Sequence, residues 1–317
     1  MAEKILEIRN LTKYFPLKKG LVVKAVENVS LELNRGETLG LVGESGSGKS
    51  TIAYTLVGMY SSTGGEMLFR GERLTPKRTQ KQKGDIQIVF QDPGSSINPR
   101  RSIQKSMLLP LSLHAKLNRR QAVARVEELL EAVGLPKEFK DKFPRSLGGG
   151  ERQLISVARA LASGPSLLIL DEPTSALDVS VQAKVIRKLM ELQEQYNLAY
   201  LFITHDLSLM RNVATRIAIM YMGRICELAG TGDFFKKPLH PYTQMLLSSI
   251  PVATEEEEAE KPSKIISEGE IPSPVNVPPG CPFHLRCPQK KDVCGQDLPQ
   301  MNEVSPGHSV CCHLYAN

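Results

Sequence analysis

Residues Gly43 to Thr51 read Gly-Glu-Ser-Gly-Ser-Gly-Lys-Ser-Thr, between a short apolar run, Leu39-Gly40-Leu41-Val42, and a segment of helical character from Ser50 to Gly58. The glycines let the backbone curl round a phosphate chain, where the free N–H groups and positive dipole end of a helix N-terminus attract anions. Gly43, Ser45, Gly46, Ser47, Gly48 and Thr51 supply that cradle. Lys49 can reach the β- and γ-phosphates, and the Ser50 hydroxyl can ligate Mg²⁺. A chance glycine-rich turn could match the loop alone, but not strand, loop and helix in register. The chain is therefore expected to be an α/β protein that binds a nucleoside triphosphate.

Leu167-Leu168-Ile169-Leu170 is fully apolar and ends in Asp171-Glu172. It reads as a central parallel strand, buried on both faces, with two carboxylates at its C-terminal edge. That edge is where α/β sheets place ligands. Asp171 is expected to hold Mg²⁺ through water, and Glu172 to act as general base on the attacking water. A solvated acidic pair ending a strand is the bland alternative. It loses weight because Thr204-His205-Asp206 follows another apolar strand, Leu198 to Ile203, which brings His205 to the same sheet edge.

At this point the sequence resembles the ATP-binding subunits of ABC transporters, over nearly its whole length. The matching segments come in the family's order: Lys49 in the first nucleotide motif, Gln91 in Val89-Phe90-Gln91-Asp92, Leu147 to Gln153 at the family signature, Asp171-Glu172 in the second nucleotide motif, Ser175 to Asp178, and His205. The resemblance implies a P-loop NTPase fold of the ABC type: a RecA-like core with an antiparallel β subdomain and a helical subdomain at about residues 92–160. It implies that Gln91 ligates Mg²⁺ and touches the membrane subunit, that Ser175–Asp178 crosses between two ATPase subunits, and that His205 senses the γ-phosphate. It also implies that adenine stacks on an aromatic at the end of the first strand, Phe15 or its neighbour Tyr14.

Composition agrees. Hydrophobic residues make up 41% and charged residues 23%, as in ordinary globular proteins. No run approaches the roughly 18 apolar residues that span a bilayer, and Met1 to Lys4 leads straight into a strand-like segment, so no signal peptide is expected. A net charge of +6 is modest. Without a dense Lys/Arg block it gives no reason to expect a nucleic-acid partner. Lys77, Arg78, Lys81 and Lys83 read as a solvated loop. Val29, Leu31 and Leu33 alternate with polar residues as in a half-buried strand, forming a β-layer with Lys4 to Asn10. Asn118 with Gln121 three residues on marks a helix start. Val123, Val126, Leu130 and Val133 continue that helix, and Gly134 ends it. Asp178 is a candidate N-cap for a helix striped by Val181, Val185, Leu189 and Leu192.

One departure stands out. The family signature usually reads Leu-Ser-Gly-Gly-Gln, and its serine binds the γ-phosphate held by the opposite subunit. Here Gly148 replaces the serine and Glu151 the glutamine, while the N–H groups of Gly149 and Gly150 remain. Either the signature offered to the partner is weakened, or the glycine backbone suffices. The resemblance then implies pairing with a second ATPase subunit, a different chain that carries the full signature.

His240 to Gln244 (His-Pro-Tyr-Thr-Gln), an acidic stretch Glu255 to Glu258 and a proline-rich segment Pro272 to Pro279 precede Gly280-Cys281-Pro282-Phe283-His284-Leu285-Arg286-Cys287-Pro288. Residues 1–250 are expected to form the nucleotide-binding domain, 251–279 an exposed linker, and 280–317 a small cysteine-rich tail. Both His240–Gln244 and Gly280–Pro288 resemble the oligopeptide and dipeptide importer ATPases, whose nickel- and some sugar-importing relatives share the extension. Cys281, Cys287, Cys294, Cys311 and Cys312 fall within 32 residues, while Cys226 reads as a buried small residue. Disulfides do not suit a reducing cytosol. Zinc pairs are usually spaced more tightly than the five and six intervening residues here. Four thiolates can also hold a 4Fe–4S cluster. Members of the resembled family carry one at this motif, implying Cys281, Cys287, Cys294 and, because the family's fourth cysteine directly precedes a histidine, Cys312 before His313. The whole resemblance implies a peripheral ATPase at the cytoplasmic face of the membrane, hydrolysing ATP to drive two permease subunits fed by an extracytoplasmic solute-binding protein. The alternative is a soluble ABC ATPase acting on ribosomes or DNA.

Overall fold

Apolar and polar residues alternate along the first two strands and set the first layer. The computed structural model of the protein describes residues 3–250, 265 and 269–316. Its strands are β1 (Lys4–Pro16), β2 (Val22–Asn34), β3 (Thr38–Val42), β4 (Gly64–Phe69), β5 (Glu72–Arg73) and β6 (Ile86–Val89). They continue as β7 (Leu167–Asp171), β8 (Ala199–Thr204), β9 (Arg216–Tyr221), β10 (Arg224–Gly230), β11 (Met301–Ser305) and β12 (His308–Cys311). The α-helices are α1 (Lys49–Leu56), α2 (Gln80–Asp85), α3 (Pro93–Ser96), α4 (Ile103–His114), α5 (Arg119–Ala132) and α6 (Gly149–Leu161), then α7 (Val179–Tyr196), α8 (Leu207–Val213), α9 (Thr231–Lys236) and α10 (Pro241–Ser248).

A four-stranded antiparallel sheet, ordered β2-β1-β4-β5, faces an eight-stranded sheet ordered β11-β12-β10-β9-β3-β8-β7-β6. The stretch from β9 to β6 is parallel, and the other three strands add on antiparallel. Every residue of β3, β7 and β8 is buried, as parallel strands covered on both faces require. Alternation along β7 divides the core. Leu167 and Ile169 pack with the four-stranded sheet, Leu168 and Leu170 with the helical layer. The C-terminal ends of β3, β7 and β8 therefore open on one edge.

In α5, Asn118 Oδ1 accepts the Gln121 N–H and Gln121 Oε1 accepts the Asn118 N–H, each at 3.0 Å. Ala122, Val126, Leu129, Leu130 and Val133 are buried, with Val123 only half so, and Gly134 at φ +80° ends the helix. Asn118→Ala should lower stability by about 1 kcal/mol, read as a lower urea midpoint at unchanged slope; an unchanged midpoint would remove the cap's role. Asp178 does precede α7, but its side chain makes no capping bond, and its carbonyl alone accepts from Val181 and Gln182.

Two expectations are corrected. The basic cluster is solvated only in part: Lys77, Lys81 and Lys83 are exposed, but Arg78 is not. Arg78 is buried, and its guanidinium donates to the carbonyls of Thr55, Leu56 and Thr75. It thereby satisfies the C-terminal end of α1, which has spare acceptors and a negative dipole. Lys81 and Lys83 ride on α2, capped by Thr79. Nor is Pro272–Pro279 simply an exposed linker, since Pro274 O accepts the Lys24 N–H of β2 at 3.1 Å. Glu255–Glu258 and most of 251–268 lie outside the described residues. The segment from Cys281 on shares the core of the main body. β12 pairs with β10, and Phe283 is buried against Tyr221 and Tyr242. His308 Nε2 lies 2.8 Å from Oε1 of the fully buried Glu227.

Candidate functional site

The loop after β3 wraps into α1 as the glycines require. Gly46 and Gly48 adopt φ of +80° and +106°, and a Cβ on Gly48 would stand 2.1 Å from Ala25 O. Any side chain there would expel β2 or open the loop. Lys49 is buried. Its ammonium donates to Gly43 O at 2.8 Å, Glu44 O at 2.9 Å and Ser47 Oγ at 3.3 Å, so it lies curled within the loop. Burial lowers its pKa, against the opposing pull of the Glu172, Asp171 and Glu44 carboxylates.

Asp171 ends β7 beside this loop. Its Oδ1 accepts the Ser50 hydroxyl at 2.9 Å, and Tyr54, one turn further along α1, also donates to it. Burial raises the Asp171 pKa, and the two hydroxyls oppose that rise. A hydroxyl and a carboxylate converging in this way form the oxygen-rich donor set that a hard divalent cation takes. Glu172 follows with φ +47°, a left-handed backbone costly for a residue with a Cβ, fixed by its N–H bond to Ile203 O at 2.9 Å. The turn aims its carboxylate at the cleft. Glu172 Oε2 lies 3.0 Å from Gln91 Nε2 and 3.3 Å from His205 Nδ1. Gln91 also donates to Ser175 Oγ at 3.4 Å. In this state Gln91 stands with the general-base candidate rather than with Ser50.

These groups open onto a cleft of about 790 Å³, within the usual range for small-molecule sites. Gly43 to Thr51, Gln91, Glu172 and His205 contribute its polar lining, with Ser47 tucked behind; Val23, Ala25, Leu246, Ile271 and Pro274 contribute the apolar part. Neither aromatic expected to meet adenine lines the cleft. Phe15 packs edge-on against Tyr60, with centroids 5.1 Å apart, and Tyr14 donates its hydroxyl to Glu27. Val23, which pairs with Phe15, does line it. Tyr54, four residues beyond Ser50 and so on the same helical face, was legible from spacing but overlooked.

Gly148, Gly149 and Gly150 stand apart from this cleft, at the N-terminus of α6. Gly148 is the N-cap residue with φ −67°, and its N–H donates to Glu151 Oε2 at 2.8 Å. The glutamate thus caps the helix with its own carboxylate, at the end that favours an anion. A Cβ on Gly149 would touch Leu177, and one on Gly150 would collide with Val181. The Ser175–Asp178 loop and the start of α7 therefore dictate both glycines.

All six cysteines are free thiols. Burial pushes the Cys281 thiol up to about 12 and raises Cys287 and Cys312 as well. Neighbouring thiols add to the rise in the pKa of Cys281 (Cys312, Cys294 and Cys311) and of Cys312 (Cys287 and Cys294). Cys311 donates to Pro299 O at 3.1 Å. Among the described residues no three His, Cys, Asp or Glu side chains are grouped closely enough to hold a metal ion. A tetrahedral zinc site would bring its sulfurs to about 3.7 Å of one another, given Zn–S of about 2.3 Å. Neither the zinc nor the 4Fe–4S expectation therefore finds support in the arrangement of these side chains.

Comparison with known proteins adds the following. A family model described as ABC transporter matches residues 26–175, and one described as oligopeptide/dipeptide transporter, C-terminal region, matches residues 226–294. The oligopeptide transport ATP-binding protein AppF of Bacillus subtilis is 47% identical, over 99% of this chain and 98% of its own. The putative oligopeptide transport ATP-binding protein YkfD of the same organism is 44% identical, over 99% and 96%. Among solved structures, cbiO1 of Clostridium perfringens, part of an ABC transporter complex, matches with a TM-score of 0.66 and 26% identity, over 74% of this chain and 92% of that one. A dimeric post-hydrolysis ATP-binding cassette, MJ0796 with ADP and Pi, matches with a TM-score of 0.65 and 27% identity, over 72% and 99%.

Proposed function

The chain belongs to the ATP-binding subunits of ABC transporters, in the oligopeptide/dipeptide branch, and on that premise we propose how it works. It is the ATP-hydrolysing subunit of a peptide importer. The observation that carries this is the convergence of Lys49, Ser50, Glu172 and His205 on one cleft, with Asp171 bonded to Ser50 behind it. Lys49 would leave its loop carbonyls to meet the β- and γ-phosphates. Ser50, with Gln91 and a water-mediated Asp171, would hold Mg²⁺, which when bound offsets phosphate charge. Glu172, oriented by Gln91 and His205, would take the proton of the attacking water, and Phe15 or Tyr14 would have to turn to reach adenine. Two ATPase subunits, this chain and a different one, would sandwich two ATP molecules, closing on binding and opening after hydrolysis.

Among the described residues no helix is long and apolar enough to cross a membrane. The reading places the chain peripherally, at the cytoplasmic face, on two permease subunits fed by an extracytoplasmic binding protein. Residues 1–250 form the nucleotide-binding unit, with 92–160 its helical part; 251–279 connect it to the cysteine-bearing 280–317. ATP hydrolysis by this chain assembled with its permeases should rise when a peptide-loaded binding protein is added. A response to ribosomes or DNA instead would favour the soluble alternative, which whole-length similarity to oligopeptide transport proteins does not favour.

For the cysteines we propose the cluster reading on the sequence pattern, four thiols that could ligate a cubane, since the described side chains form no metal-holding group. Cys281, Cys287, Cys294 and Cys312 would hold it, while the Cys311 thiol donates to Pro299 O. Protein purified without oxygen should be brown, with iron and sulfide near four each per chain. Serine at any of the four should bleach it, and Cys311→Ser should do less. Stoichiometric zinc without iron would sink this reading.

A further inference from the structure

One contact between the cysteine-bearing segment and the phosphate-binding loop takes no part in the chemistry above. Arg286 sends its guanidinium to Glu44, the second residue of the loop. Nη1 donates to Glu44 Oε2 at 3.0 Å and Nη2 to Oε1 at 3.3 Å, a two-pronged pairing that fixes direction as well as charge. The arginine side chain is only 9% exposed. Its guanidinium lies 5.8 Å from the Phe283 ring and 5.9 Å from Tyr221, whose hydroxyl it also meets at 3.4 Å. The Glu44 N–H donates to the Tyr242 hydroxyl at 3.1 Å, and the Glu44 carbonyl receives the Lys49 ammonium. Every polar group of Glu44 is thus held, its carboxylate by the cysteine-bearing segment and its N–H by Tyr242 of α10. Ile271 and Pro274 of that region also wall the cleft.

We propose that Arg286 is a positioning residue of the nucleotide site: it neutralises and holds Glu44, so that docking of the cysteine-bearing segment sets the affinity of the phosphate-binding loop for ATP. Without the guanidinium, Glu44 would keep an unpaired, partly buried carboxylate beside the place where the phosphates enter. Like charges at that range repel even under strong screening, and the loop would lose the partner that fixes its second residue. The inference rests on the cleft being the ATP site. It extends that site to a residue outside every nucleotide motif.

The test is equilibrium titration of the full chain with MgATP. Arg286→Ala should weaken binding about three- to tenfold, while limited proteolysis finds residues 280–316 as protected as in the wild type. In a Glu44→Gln background the same change should matter by less than about twofold, since no carboxylate remains to be held. Equal weakening in both backgrounds would mean general loosening of the segment and would overturn the proposal, as would unchanged affinity. If Arg286→Ala exposes the segment to protease, Arg286→Lys replaces it, keeping charge and stem but losing the two-pronged contact. It should weaken binding at least about twofold with the segment protected, and wild-type affinity there refutes the proposal. A wild-type chain that bound no MgATP would instead overturn the reading of the cleft, a result distinct from wild-type binding matched by all variants.

Discussion

Glu172→Gln should bind ATP as tightly as the wild type and lose at least about a hundredfold in turnover, the usual worth of a positioned general base. The amide keeps the size of the carboxylate and can still accept from Gln91 Nε2, now 3.0 Å from Oε2. It cannot take a proton from water. The strained backbone at φ +47° is unaffected, because that strain comes from the turn and not from the side-chain terminus. Trapped ATP should therefore accumulate, and the dimer with its partner subunit should persist. Lys49→Ala gives the contrasting result, failing at binding, because three loop acceptors lose their ammonium and the phosphates lose their counter-charge. Measuring nucleotide affinity and single-turnover hydrolysis separates the two. Wild-type turnover by Glu172→Gln in the assembled transporter would assign the base elsewhere.

How much of this was legible beforehand follows from the range of each interaction. The phosphate loop, the carboxylates after β7 and the cap at Asn118 depend on neighbours within a few residues, and spacing displays such things. Arg78 was misjudged because its partners, the end carbonyls of α1, lie more than twenty residues away. A cation beside other cations reads as solvated unless a helix end happens to be buried next to it. Asp178 shows the converse: the residue type suits a cap, yet the backbone carbonyl does the work. The C-terminal segment carried no local sign that β12 would pair with β10, or that Arg286 would cross to Glu44, because strand pairing and ion pairing are settled in three dimensions. The aromatics near adenine were ambiguous in sequence. In the structure both are turned to protein partners, Tyr60 and Glu27.

Restoring the usual signature by Gly148→Ser with Glu151→Gln should raise ATP-driven self-association and turnover of the isolated chain by roughly tenfold or more. A serine hydroxyl on a phosphate makes a charge-assisted hydrogen bond worth about 1.5–3 kcal/mol, or roughly ten- to a hundredfold. The backbone admits it. Gly148 has φ −67°, open to any residue, and a Cβ there meets only Glu151 Oε2 at 3.6 Å. The second change removes a carboxylate that occupies the helix N-terminus, where Oε2 takes the Gly148 N–H at 2.8 Å and would compete with an incoming phosphate. Glutamine retains an oxygen for that cap without its charge. Beside a different subunit with the full signature this weakness would fall on one side only, since Lys49, Glu172 and His205 would meet the partner's signature. Two unequal ATP sites would result, the stronger at this chain's own phosphate loop. Should the double variant associate and turn over no faster than the wild type, the amides of Gly149 and Gly150 suffice for the phosphate, and neither the asymmetry nor the need for a different partner follows from these two residues.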